Sequence, residues 1–200
     1  MLGDDRHSIA IFEELTRQDP VNSQAWGDLG YAYLMFGRYA DSIAAIHKSL
    51  ELEPGASTRH EHLVEAKLAV GDPAGALAAI QLEPNDVVRK LGLSNVHAAT
   101  RQREAALRLL QEVGRDSPEW ATMIAAGYAR LDERDRTFEW LERALRARDG
   151  GVAGLRVDPA FRRVRADPRW QPLLVRIGIS DEQVKALDFN ISVPMKAGAN

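Results

Sequence analysis

Apolar side chains recur along this chain every three or four residues, the period of one buried face of an α-helix. Residues 23–36, SQAWGDLGYAYLMF, place Trp26, Leu29, Gly30 and Tyr33 on such a stripe. Large and small side chains alternate on it, and Gly30 lets a neighbouring helix come close. Gly37 suits the left-handed cap that ends this helix. A second stripe runs over 39–52, and Pro54 closes it because proline cannot continue a helix. The unit then repeats. Pro20 precedes Pro54 by 34 residues, and Gly71 follows Gly37, and Ala76 follows Ser42, by the same step. Residues 5–18 read as the second helix of a pair whose first helix is missing. The later turns fall at Thr100 and Asp132, steps of 29 and 32. The short step lies in GDPAGALAAIQLEPND, whose helix is about a turn shorter than its counterparts. The pattern predicts helices over 5–18, 23–36, 39–52, 57–70, 74–81, 86–99, 102–114, 118–131 and 134–148. Alternating β-branched runs are missing, apart from NISV near the C-terminus.

A 34-residue unit with Trp26, Leu29, Gly30, Tyr33, Gly37, Tyr39 and Pro54 in these places resembles the tetratricopeptide repeat. The resemblance covers residues 5–148. It implies an all-α fold, a right-handed α-solenoid of antiparallel helix pairs with a C-terminal helical cap. It also implies a protein–protein interaction scaffold, not an enzyme, with no cofactor and a protein or peptide held in a concave groove. Residues 138–178 resemble, further, the C-terminal end of a bacterial group in which such arrays follow winged-helix regulators, adenylate-cyclase-type domains or serine/threonine kinases. Trp140–Leu141, Asp158–Pro159, Phe161, Asp167–Pro168–Arg169–Trp170 and Leu173–Leu174 carry that likeness. It implies a regulatory or sensory module of a signalling or transcription-regulatory protein. A chain that begins inside a repeat reads as the C-terminal piece of a larger protein or as a short stand-alone relative.

A solenoid needs a terminal unit to cover its last apolar face. Asp158-Pro159 and Asp167-Pro168 are helix-start signals, an N-cap acid followed by proline. They predict helices over 159–166 and 168–177, with Phe161, Val164, Trp170, Leu173, Leu174 and Ile177 packed on the pair at 118–148. Ser180-Asp181-Glu182 opens a last short helix to about Leu187. The expected organisation is a helical array over 1–148, a cap over 149–188 and an extended tail over 189–200. Asn190-Ile191-Ser192 matches a glycosylation sequon that is read as incidental.

Composition narrows the chemistry. The net charge of −3 and the mixed signs along the chain do not suggest nucleic acid. Residues 1–100 carry 8 basic and 14 acidic side chains, while residues 101–176 carry 16 arginines and 12 acids. The absence of cysteine excludes disulfides, Cys-ligated zinc and thiol catalysis. No stretch approaches a membrane span of ~20 apolar residues, and the acidic start lacks a signal-peptide pattern. A cytoplasmic chain is expected, with self-association left open.

In the repeat family the groove is lined by fixed positions of the first helix of each pair. Carried over, these give Gln24, Asp28, Tyr31 and Met35 in the first complete repeat and Glu61, His62 and Glu65 in the second. The third offers Lys90, Ser94 and His97, and the fourth Thr122, Ala126 and Arg130. Tyr31 and Met35 stand on a face expected to be open, which marks a contact surface unless upstream helices or the tail cover them. The family's carboxylate clamp uses Lys, Asn and Arg where this chain has Gly27, Tyr31, Glu61, His62 and Glu65, so a basic or apolar ligand fits better. His60 and His62, two apart on a helix, cannot face one metal ion. Gly150-Gly151-Val152-Ala153-Gly154 lacks the P-loop lysine and reads as a cap and loop. Arg162, Arg163, Arg165 and Arg169 form a solvated patch paired with Asp158 and Asp167. No catalytic motif and no carboxylate pair in a cleft is legible.

Overall fold

The computed structural model describes residues 5–186, with side chains from Ser8 onward. The sequon, the tail over 189–200 and the end of the last helix at Leu187 lie outside the described residues. Within them the periodic stripes become antiparallel pairs. Helix α1 (Asp5–Gln18) is followed by α2 (Ser23–Met35) with α3 (Tyr39–Leu52), and by α4 (Arg59–Ala69) with α5 (Pro73–Ile80). Then come α6 (Asp86–Ala99) with α7 (Arg103–Asp116), and α8 (Ala121–Arg130) with α9 (Arg134–Ala147). The chain is an α-solenoid of helix pairs.

Local chemistry sets the helix ends. Asn22 accepts a hydrogen bond from the Ala25 N–H, Asp72 from Gly75, and Asn85 from both Val87 and Val88. Left-handed residues close the first helix of each pair: Gly37 at φ +78°, Gly71 at +81°, Arg101 at +62° and Asp132 at +57°. The third turn therefore centres on Arg101, one residue beyond the Thr100 read from the sequence. The step from Gly71 is 30 residues, still short of 34, in keeping with an α5 of only 8 residues.

Close approach makes the pairs. Gly30 lies so near α3 that a Cβ there would stand 2.5 Å from Ile46 Cγ1 and 3.1 Å from its backbone nitrogen. Ser42 donates its hydroxyl to the Gly30 carbonyl at 2.8 Å across the same contact. The buried clusters follow one another along the stack, as expected when each pair packs on its neighbours. Ile9, Leu29, Ala32 and Tyr33 hold α1 to α2, and Ile46, Val64, Ile80 and Val96 hold the middle. The largest cluster joins α6–α9 to the cap through Leu155, Phe161, Val164, Trp170 and Leu174.

The cap departs from the expected helices. Residues 159–166 form no α-helix: a 3-10 turn spans Pro159–Phe161 and turns continue to α10 (Trp170–Ile177). Backbone bonds link Phe161 to Asp158, Val164 to Phe161, Asp167 to Val164 and Trp170 to Asp167, each at a spacing of three. That spacing stacks Phe161, Val164, Asp167 and Trp170 on one buried face, which the rotation of an α-helix would not. A final helix, α11 (Asp181–Lys185), starts on a capping box between Ser180 and Gln183.

Gly37→Ala should destabilise the fold by about 1 kcal/mol, because an L side chain strains at positive φ. Gly30→Ala should cost about 1–3 kcal/mol through overpacking. Arg101→Gly should stabilise it by up to about 1 kcal/mol by relieving the same strain. Urea denaturation of the three variants, with Gly55→Ala in open space as control, measures all of these.

Candidate functional site

The first helices of the pairs, α2, α4, α6 and α8, stand side by side and form the inner face of the stack. Between this face and the cap lies a cavity of about 270 Å³, walled by Tyr31, Met35, Leu91, Trp120, Met123 and Ala126. Glu61, Glu65, Arg130, Asp149 and Asp158 bring charge to it.

Its floor is a strap of the chain's own backbone. After α9 the chain turns at Arg148 in the left-handed region and runs through a 3-10 segment, Gly150–Gly154, across the inner face. Asp149 fastens the near end, accepting from the Thr122 N–H at 3.0 Å and the Gly151 N–H at 2.9 Å. Gly151 lies against Thr122 so closely that a Cβ would meet its side chain at 2.9 Å. At the far end Val157 packs on Leu34, Met35 and Ala66, between α2 and α4. Asp158 accepts from the Ala160 N–H at 2.8 Å, as an N-cap should, while it also faces the buried charges.

The centre is an ionic knot. Arg130 of α8 donates to Glu65 of α4, and Glu61, one helical turn away, shares a hydrogen bond with Glu65. Burial, with the charge of Glu65 beside it, pushes the Glu61 carboxyl well above the ordinary range, which favours its protonated form. Burial also drives Glu65 upward, but Arg130 and the bond from Glu61 outweigh it and hold Glu65 below its ordinary value. Asp158 is raised to about 6 by burial and then by Glu65, against the pull of Arg130. His62 stacks on Tyr31 with ring centroids 4.6 Å apart. Burial lowers it to about 4, so it is neutral at pH 7. The arrangement can hold a positive charge or pass a proton between carboxyls. Among the described residues no group of three or more His, Asp or Glu side chains is set to hold a metal ion.

The residues expected to line the groove divide. Tyr31, Met35, Glu61, His62, Glu65, Thr122, Ala126 and Arg130 meet around the cavity. Gln24 and Asp28 bond to each other at 2.9 Å near the start of α2, and Asp28 lies 3.6 Å from Arg59. Lys90 turns away to Asp86 and Glu112, at 2.9 and 2.8 Å. Ser94 is buried and donates to its own helix at Leu91. Neither Ser94 nor His97 lines the cavity; in α6 Leu91 and Asn95 do. The slip by one position matches the turn after α6, which lies at Arg101 and not at Thr100. Tyr31 and Met35 are not open, because α4 and the strap cover them: Met35 is buried and Tyr31 half-buried. Nor is the cavity without paired carboxylates. Glu61 and Glu65 sit on one helix, but Asp158 comes from the strap, and only folding brings the three together. His60 faces away to the buried Glu83, 3.7 Å off, as its spacing from His62 requires. Of the arginine patch, Arg169 grips Asp167 with two nitrogens and Asp135 with a third, while Arg165 donates to the Asp158 carbonyl. Arg162 and Arg163 are exposed.

The tetratricopeptide repeat family model matches residues 11–44, from within α1 through α2 into α3. The Hsp70-Hsp90 organizing protein of Triticum aestivum is 30% identical over 135 residues, which is 62% of this chain and 23% of that protein. The chain thus spans less than a quarter of that relative. Among solved structures, MamA superposes with a TM-score of 0.50 at 19% identity, covering 75% of this chain and 92% of its own. The structure of YrrB, titled a TPR protein with an unusual peptide-binding site, gives a TM-score of 0.45 at 18% identity, covering 76% and 82%. The repeat match and the MamA likeness agree with the helix-pair stack. No described helix is long and apolar enough to cross a membrane.

Two groups of the knot should tilt stability with pH in opposite senses. His62 is neutral when folded, with a value of about 4 against 6.5, so stability is lost as pH falls through that window. Asp158, raised from 3.8 to about 6, takes up a proton in the folded state, so stability is gained as pH falls from about 6. His62→Phe should remove the first contribution and Asp158→Asn the second, and urea melts at a series of pH values between these limits should show opposite changes in slope.

Proposed function

We propose that this protein is a protein–protein interaction scaffold whose inner face recognises an extended segment of a partner. One observation carries the reading: the inner face already holds a stretch of polypeptide that is not α-helical, the strap from Asp149 to Asp158, by a bond from the Thr122 N–H to the Asp149 carboxylate at one end and an apolar anchor, Val157, at the other. A surface that grips a segment in this manner can grip another by the same contacts. Beside the strap an open end remains, lined by Leu34, Tyr39, Leu68 and Ala98 and edged by Arg162 and Arg163. The repeat match supports the scaffold class. The resemblance of residues 138–178 to the ends of bacterial regulators supports a cytoplasmic regulatory or sensory module of a signalling protein. A clamp for a terminal carboxylate does not fit, because Glu61 and Glu65 occupy the places where such a clamp needs cations.

Peptides selected from a random display library on the wild-type protein should bind at the open end. Ala69→Arg and Ala99→Arg place bulky charges there at exposed positions, where folding should change by no more than about 0.5 kcal/mol. Binding of the selected peptides should weaken about tenfold or more. Equal affinities for wild type and both variants would remove the inner face from recognition.

A further inference from the structure

Five carboxylates, Glu61, Glu65, Glu119, Asp149 and Asp158, line the cavity; Asp149 is taken up by the Thr122 and Gly151 N–H groups, and the one cation of the lining, Arg130, is already committed to Glu65. Burying such an excess of acid without compensation is unfavourable. Burial and the neighbouring Glu65 raise the Glu61 carboxyl, which favours a proton on it beside Glu65. The proton leaves a second feature unexplained. Thr122 is 8% exposed and lines the cavity, and its hydroxyl oxygen has no hydrogen-bond partner. A buried hydroxyl without a partner is uncommon, since leaving it unsatisfied costs about 1–3 kcal/mol. The walls between Thr122 and the acids are apolar or aromatic, with Met35, Met123, Trp120 and the stacked pair Tyr31 and His62. His62 is neutral at pH 7 and does not oppose a positive guest.

We infer that the cavity under the strap is a binding site for a single aliphatic cation, an ammonium or guanidinium head on a short hydrocarbon stem, with the head between Glu61, Asp158 and the Thr122 hydroxyl. The size fits. At about 270 Å³ the space falls just below the ~300 Å³ at which drug-sized sites begin, and suits one side chain or one small amine. The stem lies along the methionine and tryptophan walls, and the aromatic faces add a cation–π contact. Where Glu61 is protonated the guest takes the place of that proton, which passes to solvent, so binding leaves the net charge of the cavity unchanged. Such a cation can come as a free amine or as a lysine or arginine side chain of a bound partner. The second source rests on the inner face being the recognition surface, and the first does not.

n-Butylamine, n-butylguanidine and two short blocked peptides, one carrying a single arginine and one a norleucine in its place, provide the probes. Calorimetric titration of the full chain in two buffers of different ionisation enthalpy should show binding with release of a proton. With ¹³C-methyl methionine, the signals of Met35 and Met123 should shift on binding. Glu61→Gln keeps the shape and should weaken binding about tenfold and abolish the proton release. Thr122→Val keeps the volume and should weaken it several-fold, about 1 kcal/mol for one lost bond. Binding of the amines alone assigns the site to a small molecule, and binding of the arginine peptide but not the norleucine peptide assigns it to a partner side chain. No saturable shift of Met35 or Met123 with any probe up to about 10 mM overturns the inference. So does equal affinity in wild type, Glu61→Gln and Thr122→Val. Either negative result leaves peptide recognition at the open end, read through Ala69→Arg and Ala99→Arg, standing or falling by itself.

Discussion

Arg130 and Glu65 lie 65 positions apart, on the first helices of two pairs that are not neighbours in sequence, and their ion pair crosses the inner face of the stack. In an open solenoid each pair touches only the next, and curvature is free to vary. Here a buried bond between the second and fourth complete pairs fixes how tightly the stack curls. The strap can reach α2 and α4 only at that curvature, and Asp158 can face Glu65 only if the strap reaches them. The cavity is the space left by these constraints.

The knot is stable because its charges are uneven but compensated. Arg130 neutralises Glu65, burial favours the neutral form of Glu61, and Asp158 divides its contacts between the Ala160 N–H and the buried centre. Removing Arg130 or Glu65 leaves its partner as an uncompensated buried charge, which costs more than the pair itself contributes. The same low-dielectric setting makes the inner face selective. It repels carboxylates and favours cations, while the open end beside Arg162 and Arg163 has the opposite bias. A partner segment would meet both potentials along a single face, which orients it.

Most of the array was legible from the chain. Trp26, Leu29, Gly30 and Tyr33, with Gly37 and Pro54 at the ends, specify one pair, and the 34-residue step extends it. Helix ends come from neighbouring residues, so Asn22, Asp72 and Asn85 announce them directly. The frame slipped by one residue in α6, whose turn is at Arg101 and not Thr100, and with it the assignment of Lys90, Ser94 and His97, while Thr122, Ala126 and Arg130 of α8 kept theirs. The cap was legible as a cap but not as a 3-10 path, since its spacing of three serves contacts with α8 and α9 that local sequence does not contain.

The sequence by itself thus determined what depends on neighbours along the chain: which residues are helical, where the helices stop, which faces are apolar and how the pairs repeat. Only the tertiary structure decided what depends on residues far apart. It laid the strap across the inner face, buried Tyr31 and Met35 beneath it, and set Asp158 beside Glu61 and Glu65 on a cavity with Thr122. The physical reason is that helix formation and capping are short-range, whereas the burial of a charge depends on whichever distant segment excludes water from it.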